Sequence, residues 1–194
     1  MAIATPTTKI TYDEFMKLPD DNPYLELIGG VVIDRLAEEG RFGMPAPELE
    51  HQDTVSNLHY FIKTQARVRG GKVYFAPTDV KFDNEHTPQS DIFWIAPDGK
   101  CRPNQDNRLE GAPDFIAEIL SPGTARRDRR EKYNLYEKYG VREYWIVDPI
   151  AKVIEIYTLH EGKYVRAGVY GVGDQIESLL WGSIAMKEIF PDAE

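Results

Sequence analysis

The 194-residue chain is short of the features that usually fix a protein's class at sight. It has one cysteine, Cys101, so no intrachain disulfide and no multi-cysteine metal site can be built. No run approaches the roughly 18 consecutive apolar residues needed to span a bilayer. The opening MAIATPTTKI lacks both a basic segment and an apolar core, so it does not read as a secretory signal. A reducing, cytoplasmic setting with no membrane partner is the expectation. Positive charge is scarce as well: 23 Lys and Arg against 32 Asp and Glu leave a net charge of −9. That balance disfavours whole-surface binding to nucleic acid, although a local basic patch is still compatible with it. It also suits carboxylates gathered around a metal ion, whose own charge is missing from the count.

What is present describes a folded protein. Hydrophobic residues make up 42% of the chain and aromatics 11%. The length suits one domain over residues 1–194, with 1–9 as a flexible tail. Thr11 to Glu14 matches a capping box before a short helix that ends near Pro19. Tyr24 to Ile33 (YLELIGGVVI) reads as two strands about a Gly-Gly turn. Residues 36–50 read as a Gly/Pro/Glu-rich loop leading into a helix. His51, Val55, Leu58 and Ile62 then fall on one helical stripe between about Glu48 and Arg69.

Short strands follow at Val73 to Phe75 and Asp79 to Phe82, and a buried strand at Asp91 to Ala96. Lys100 to Glu110 reads as a polar, mobile loop. A strand at Phe115 to Leu120, a helix from Thr124 to Tyr139 and a strand within GVREYWIVDP come next. Val153 to Leu159 and Tyr164 to Tyr170 read as a hairpin at the far edge of the sheet, and Ile184 to Phe190 as a closing helix. The expected architecture is α/β (α+β): a mixed β-sheet flanked by helices.

Three charged residues stand out. Asp91 opens an apolar strand, where a carboxylate by itself is more often a cap or a solvated end. Glu118 lies within FIAEIL, and a strand apolar on both faces is normally buried. An ionised carboxylate there is costly unless paired, protonated or bound to a cation. Lys132 shares a stripe with Asp128, Leu135, Tyr136 and Tyr139, while Arg126, Arg127, Arg130, Glu137 and Lys138 can point to water. A lysine on such a stripe either snorkels outward or reaches the carboxylates. Two strand-end carboxylates can hold a hard divalent cation such as Mg²⁺, and a nearby lysine suits phosphodiester hydrolysis. The same set suits a site that only binds metal or phosphate.

With those residues in view, QSDIFWI, GAPDFIAEILSP, the Asp128…Lys132…Tyr136 helix and GVREYWIVDP resemble the Uma2 family (DUF820) of restriction-type endonucleases, abundant in cyanobacteria. The resemblance spans roughly residues 20 to 170 and implies the PD-(D/E)xK, restriction-endonuclease-like fold. It implies Asp91 and Glu118 as ligands of Mg²⁺ or Mn²⁺, Lys132 as the catalytic lysine, DNA as substrate and a homodimer. Leu120 stands where the lysine usually follows the second acid, and the family's lysine is expected from the helix instead. Ser90 replaces the usual proline before the aspartate, and Gly29 an aspartate usual in the first turn.

Glu26 and His51 match recurrent family positions; with Asp128 and Tyr136 they form a second tier of site residues. For each, a surface or core role is the competing reading. Arg126, Arg127 and Arg130 offer a phosphate-contacting ridge, weakened by the interleaved Asp128 and Glu131. The alternative to a nuclease is a restriction-like fold kept as a binding or assembly module without turnover.

Overall fold

A computed structural model describes residues 9–19, 22–35 and 49–192. The expected tail therefore lies almost wholly outside the described residues, as does most of the 36–50 loop.

The sheet is built where the apolar runs are densest. Its strand order is β11-β10-β9-β8-β5-β3, with β3 at Lys72–Phe75, β5 at Ile92–Ile95, β8 at Phe115–Ile119 and β9 at Glu143–Asp148. The outer hairpin is β10, Val153–His160, and β11, Lys163–Tyr170. Within this sheet only β8 and β9 pair in parallel; its other pairs are antiparallel. Every residue of β5 and β8 is buried, as expected of strands covered on both faces.

Strand alternation sorts the core into two halves. On one face Ile92, Trp94, Phe115, Ala117, Ile119, Trp145 and Val147 pack beneath helix α2, Leu49–Arg69. Thr54, Leu58, Ile62 and Ala66 form its inward stripe. On the other face Phe93, Ile95, Ile116, Tyr144 and Ile146 meet Leu135 and Tyr136 of the 125–139 helix. Among the described residues no helix is long and apolar enough to cross a membrane.

The N-terminal expectations hold. Thr11 N–H donates to Glu14 Oε2 at 2.8 Å at the start of α1, Tyr12–Phe15. Strands β1, Leu25–Ile28, and β2, Val31–Asp34, turn at Gly29 and Gly30, both with positive φ, which glycine adopts without steric cost.

Two expectations fail. Lys100 to Glu110 is not a plain loop: β6, Arg102–Pro103, and β7, Leu109–Glu110, form a small sheet with β4, Val80–Lys81. Buried Cys101 and Leu109 anchor that segment to the core. Nor does a helix close the chain. Strands β12, Gln175–Ser178, and β13, Gly182–Ala185, make a hairpin followed by a single 3₁₀ turn at Met186–Glu188. Burial of Ile176, Ile184 and Met186 against the first core outweighs the helical spacing of the segment.

Candidate active site

The antiparallel register sets Ile92 opposite Ala117. One residue further along the same register, Asp91 lies beside Glu118. The Asp91 N–H approaches Glu118 Oε2 at 3.4 Å, and Ile119 N–H donates to Asp91 Oδ2 at 2.9 Å. Both carboxylates leave the sheet on the face covered by the 125–139 helix. Asp91 is 5% exposed and Glu118 1%, so neither is a solvated strand end.

The covering helix is interrupted where it meets them. Helix α3, Ala125–Arg127, runs into a π turn at Asp128–Lys132, and α4, Tyr133–Tyr139, continues to a left-handed Gly140. π turns recur at functional sites because they redirect side chains and free backbone carbonyls. Here Tyr144 of β9 donates its hydroxyl to the Asp128 carbonyl at 3.0 Å. Asp128 and Lys132 both end up buried.

Lys132 does not snorkel. It is 2% exposed, and its Nζ lies 3.1 Å from Glu118 Oε1, 3.1 Å from Glu26 Oε1 and 3.8 Å from Asp128 Oδ1. It also donates to the Gln89 carbonyl at 3.2 Å. Tyr136 donates to Glu118 Oε1 at 2.5 Å and shares a 3.0 Å hydrogen bond with Ser90 Oγ, a bond that proline at position 90 could not make. Glu26 is fully buried and accepts the Gln89 N–H at 2.7 Å. His51 Nε2 stands 3.9 Å from Asp91 Oδ2, close enough to act by charge but too far to hydrogen-bond.

Arg35 and Gln89 are the members that the sequence did not disclose. Arg35 Nη2 donates to Asp91 Oδ1 at 2.7 Å, and its Nη1 reaches the Gln89 carbonyl at 3.2 Å. A lone arginine after a short strand carries no pattern that marks it as buried, and Gln89 contributes mainly through its backbone.

Burial and crowding set the protonation states. Burial pushes the Glu118 carboxyl up to about 8; Lys132 opposes the rise, and Asp91 and Asp128 add to it. Burial likewise lifts Asp128 to about 6, with Lys132 opposing and Asp91 adding. For Asp91 burial alone would raise the value, but Arg35, His51 and Lys132 together hold it below the usual carboxylate range. Burial alone would lower Lys132, yet Glu118, Glu26 and Asp128 outweigh it and keep the ammonium protonated. A lysine so held cannot take a proton from water at neutral pH. Its contribution is positive charge at a fixed position.

The arginine ridge is only partly as expected. Arg126 and Arg130 are exposed. Arg127 does not point to water: it is buried, with Nη1 3.9 Å from Glu26 Oε2 and Nε 3.8 Å from Glu131 Oε2. The buried Glu26 draws its guanidinium inward. Thus Glu26, His51, Asp91, Glu118, Asp128, Lys132 and Tyr136 converge, while Arg126 and Arg130 lie on the helix's outer face.

The fold has a counterpart among solved structures. A solved structure described as a putative nuclease belonging to DUF820 from Anabaena variabilis superposes with a TM-score of 0.72 at 21% identity, covering 94% of this chain and 98% of that one. That likeness places the fold, a six-stranded mixed sheet in an α+β architecture. No curated protein matches the chain. The family model for Uma2, described as "Putative restriction endonuclease", matches residues 12–184, a span that takes in every member of the cluster, and the chain belongs to that family.

Proposed function

We propose that the protein hydrolyses DNA phosphodiester bonds with a divalent cation, Mg²⁺ or Mn²⁺, held at Asp91 and Glu118. The observation that carries this reading is the convergence of Lys132 Nζ on Glu118 Oε1 at 3.1 Å, with Asp91 in register beside Glu118. Membership of a family described as restriction endonucleases supports the substrate class.

The donor set fits such a cation. Among the described residues no three His, Cys, Asp or Glu side chains form a ready-made ligand group. Mg²⁺ does not require one, because it keeps several waters and takes one or two carboxylates together with substrate phosphate oxygens. Among the described residues Glu118 Oε2 receives only the long 3.4 Å approach of Asp91 N–H, and Glu26 Oε2 and Asp128 Oδ1 have no hydrogen-bond partner. Burial raises Glu118 to about 8 and the neighbouring Asp91 and Asp128 add to the rise, so a cation placed beside these acids would favour its ionised form. When bound, the cation would lower the pKa of a coordinated water and stabilise the oxygens of an in-line displacement.

The chain's own residues do the remainder. Lys132, protonated and fixed by three carboxylates, sets a positive charge where the scissile phosphate gains negative charge. Tyr136 holds Glu118 in one rotamer through its 2.5 Å hydrogen bond. Glu26 and Asp128 hold the lysine from its other side. Arg126 and Arg130 would meet phosphates farther along the duplex. A homodimer would present two such sites to the two strands, and light scattering at micromolar concentration tests it: a monomer removes that part of the reading.

The test of the whole is cleavage of supercoiled, linear and single-stranded DNA with Mg²⁺ or Mn²⁺. Asp91→Asn and Lys132→Ala should each reduce the rate by at least about 10²-fold, the usual cost of removing such electrostatic stabilisation. Unchanged activity in both variants would sink the mechanism. A wild-type protein that neither cleaves nor binds Mn²⁺ would favour a binding or assembly module instead.

A further inference from the structure

Asp91 is already paired with a cation of the protein's own. Arg35 Nη2 sits 2.7 Å from Oδ1, while Oδ2 takes the Ile119 N–H at 2.9 Å, so neither oxygen of this carboxylate is idle. Arg35 is tied down by backbone as well as side chain. Its N–H donates to the Tyr24 carbonyl at 3.1 Å, and Nη1 to the Gln89 carbonyl at 3.2 Å, the same oxygen that receives Lys132. The backbone bond holds the chain at residue 35, whereas the guanidinium is held by its own two side-chain hydrogen bonds.

The charge count of the cluster explains why it stands there. Four carboxylates are buried together: Glu26, Asp91, Glu118 and Asp128. Lys132 and Arg127 offset two of them, and Arg35 a third, which leaves a deficit of one. Were Arg35 to leave, the deficit would become two, the charge of one divalent cation. A guanidinium also pairs as readily with phosphate as with carboxylate, through the same planar fork.

We propose that Arg35 is a substrate-phosphate ligand held in reserve: in the resting site it stands on Asp91 in place of the divalent cation, and when the cation loads it turns to a phosphate of the bound DNA. This rests on the metal site proposed above. Cation loading and release of Arg35 are then one event, which takes the cluster from a deficit of one to balance. The protein would bind the cation weakly until DNA offers the guanidinium another anion, so that metal and DNA each raise the affinity for the other.

Two binding measurements on the intact protein test this, neither needing turnover: calorimetric titration with Mn²⁺ alone, and affinity for duplex DNA in saturating Ca²⁺. Arg35→Gln should bind Mn²⁺ tighter than wild type by about tenfold, because a competing ion pair is gone. The same variant should bind duplex DNA several-fold more weakly. Arg35→Lys, which keeps a competing charge, should stay near wild type for Mn²⁺ and also establishes that position 35 tolerates substitution. A residue with a purely structural role would weaken both ligands or neither. If Asp91→Asn removes Mn²⁺ binding but Arg35→Gln leaves it unchanged or weaker, the reserve role is overturned while the metal site stands. Tighter Mn²⁺ with undiminished DNA affinity overturns the phosphate role. If neither wild type nor Arg35→Gln binds Mn²⁺, the metal site itself fails, and this proposal with it.

Discussion

Two buried glutamates on adjacent strands, Glu118 of β8 and Glu143 of β9, show how differently the two faces of one sheet treat a carboxylate. Both are almost wholly buried, and burial raises both. Glu143 points into the apolar face and is met by neutral donors: Trp145 Nε1 at 2.6 Å, Ser178 Oγ at 2.6 Å and Leu180 N–H at 3.1 Å. It pins the C-terminal hairpin to the central sheet. Glu118 points into the opposite face and meets an ammonium, a phenol and two other acids. A carboxylate satisfied by neutral donors is a staple. One crowded by like charges and held by a buried cation is, on the reading proposed above, a site that accepts a further cation.

The largest expected effect breaks the charged side. Lys132→Met leaves four buried carboxylates facing too few cations, and should destabilise the protein by about 3–5 kcal/mol in a urea or thermal melt. Adding Glu118→Gln to that variant should recover part of the loss, because it removes one of the charges left unpaired.

Next comes the direct contrast of the two glutamates. Glu143→Ala strands three buried donors and should cost about 1–3 kcal/mol, while DNA cleavage per folded molecule is unchanged. Glu118→Gln should be neutral or stabilising in the metal-free protein above pH 8, yet inactive. Opposite signs in stability and activity are the mark of the distinction.

A pH series sharpens it. The folded Glu118 carboxyl, at about 8, lies above its ordinary value of 4.5, so the folded state holds a proton that the unfolded state has lost. Its contribution is therefore full below about pH 4.5 and declines as pH rises through 8. Asp128, lifted to about 6, adds in the same direction. Asp91, held low, works the other way and loses its contribution only in acid. Wild type should lose on the order of a few kcal/mol relative to Glu118→Gln between pH 5 and pH 9.

The smallest effects belong to the outer face. Arg126→Ala and Arg130→Ala should change stability by less than about 0.5 kcal/mol, while each lowers the salt dependence of DNA binding by about one unit of slope. Arg127→Ala, by contrast, should destabilise, since that side chain is buried beside Glu26.

How much of this was legible depends on what kind of signal each part leaves. Glu118 and Lys132 were visible because a charge in an apolar run, or on an apolar stripe, demands a partner, and helical spacing placed Asp128 one turn before the lysine. The π turn left no trace: a stripe of residues four apart is the same whether or not one backbone turn is widened. Arg35 was invisible because a single arginine beyond a four-residue strand is ordinary in sequence, and its partners Gln89 and Asp91 lie 54 and 56 positions away. Helical spacing leaves Arg127 off the stripe of Asp128, Lys132 and Tyr136 and so on the water side, whereas the acid that draws it inward, Glu26, lies on the first hairpin. IAMKEIF carries helical spacing, yet only Met186–Glu188 forms a 3₁₀ turn there, because Ile184 and Ala185 complete a strand whose partner, β12, the sequence does not mark.

Plasmid cleavage in Mn²⁺ by Glu118→Gln and Glu143→Gln, side by side and normalised to folded protein, tests the central claim most directly. The expected result is loss of cleavage in Glu118→Gln and retention in Glu143→Gln. Cleavage retained by Glu118→Gln at the wild-type rate would contradict it.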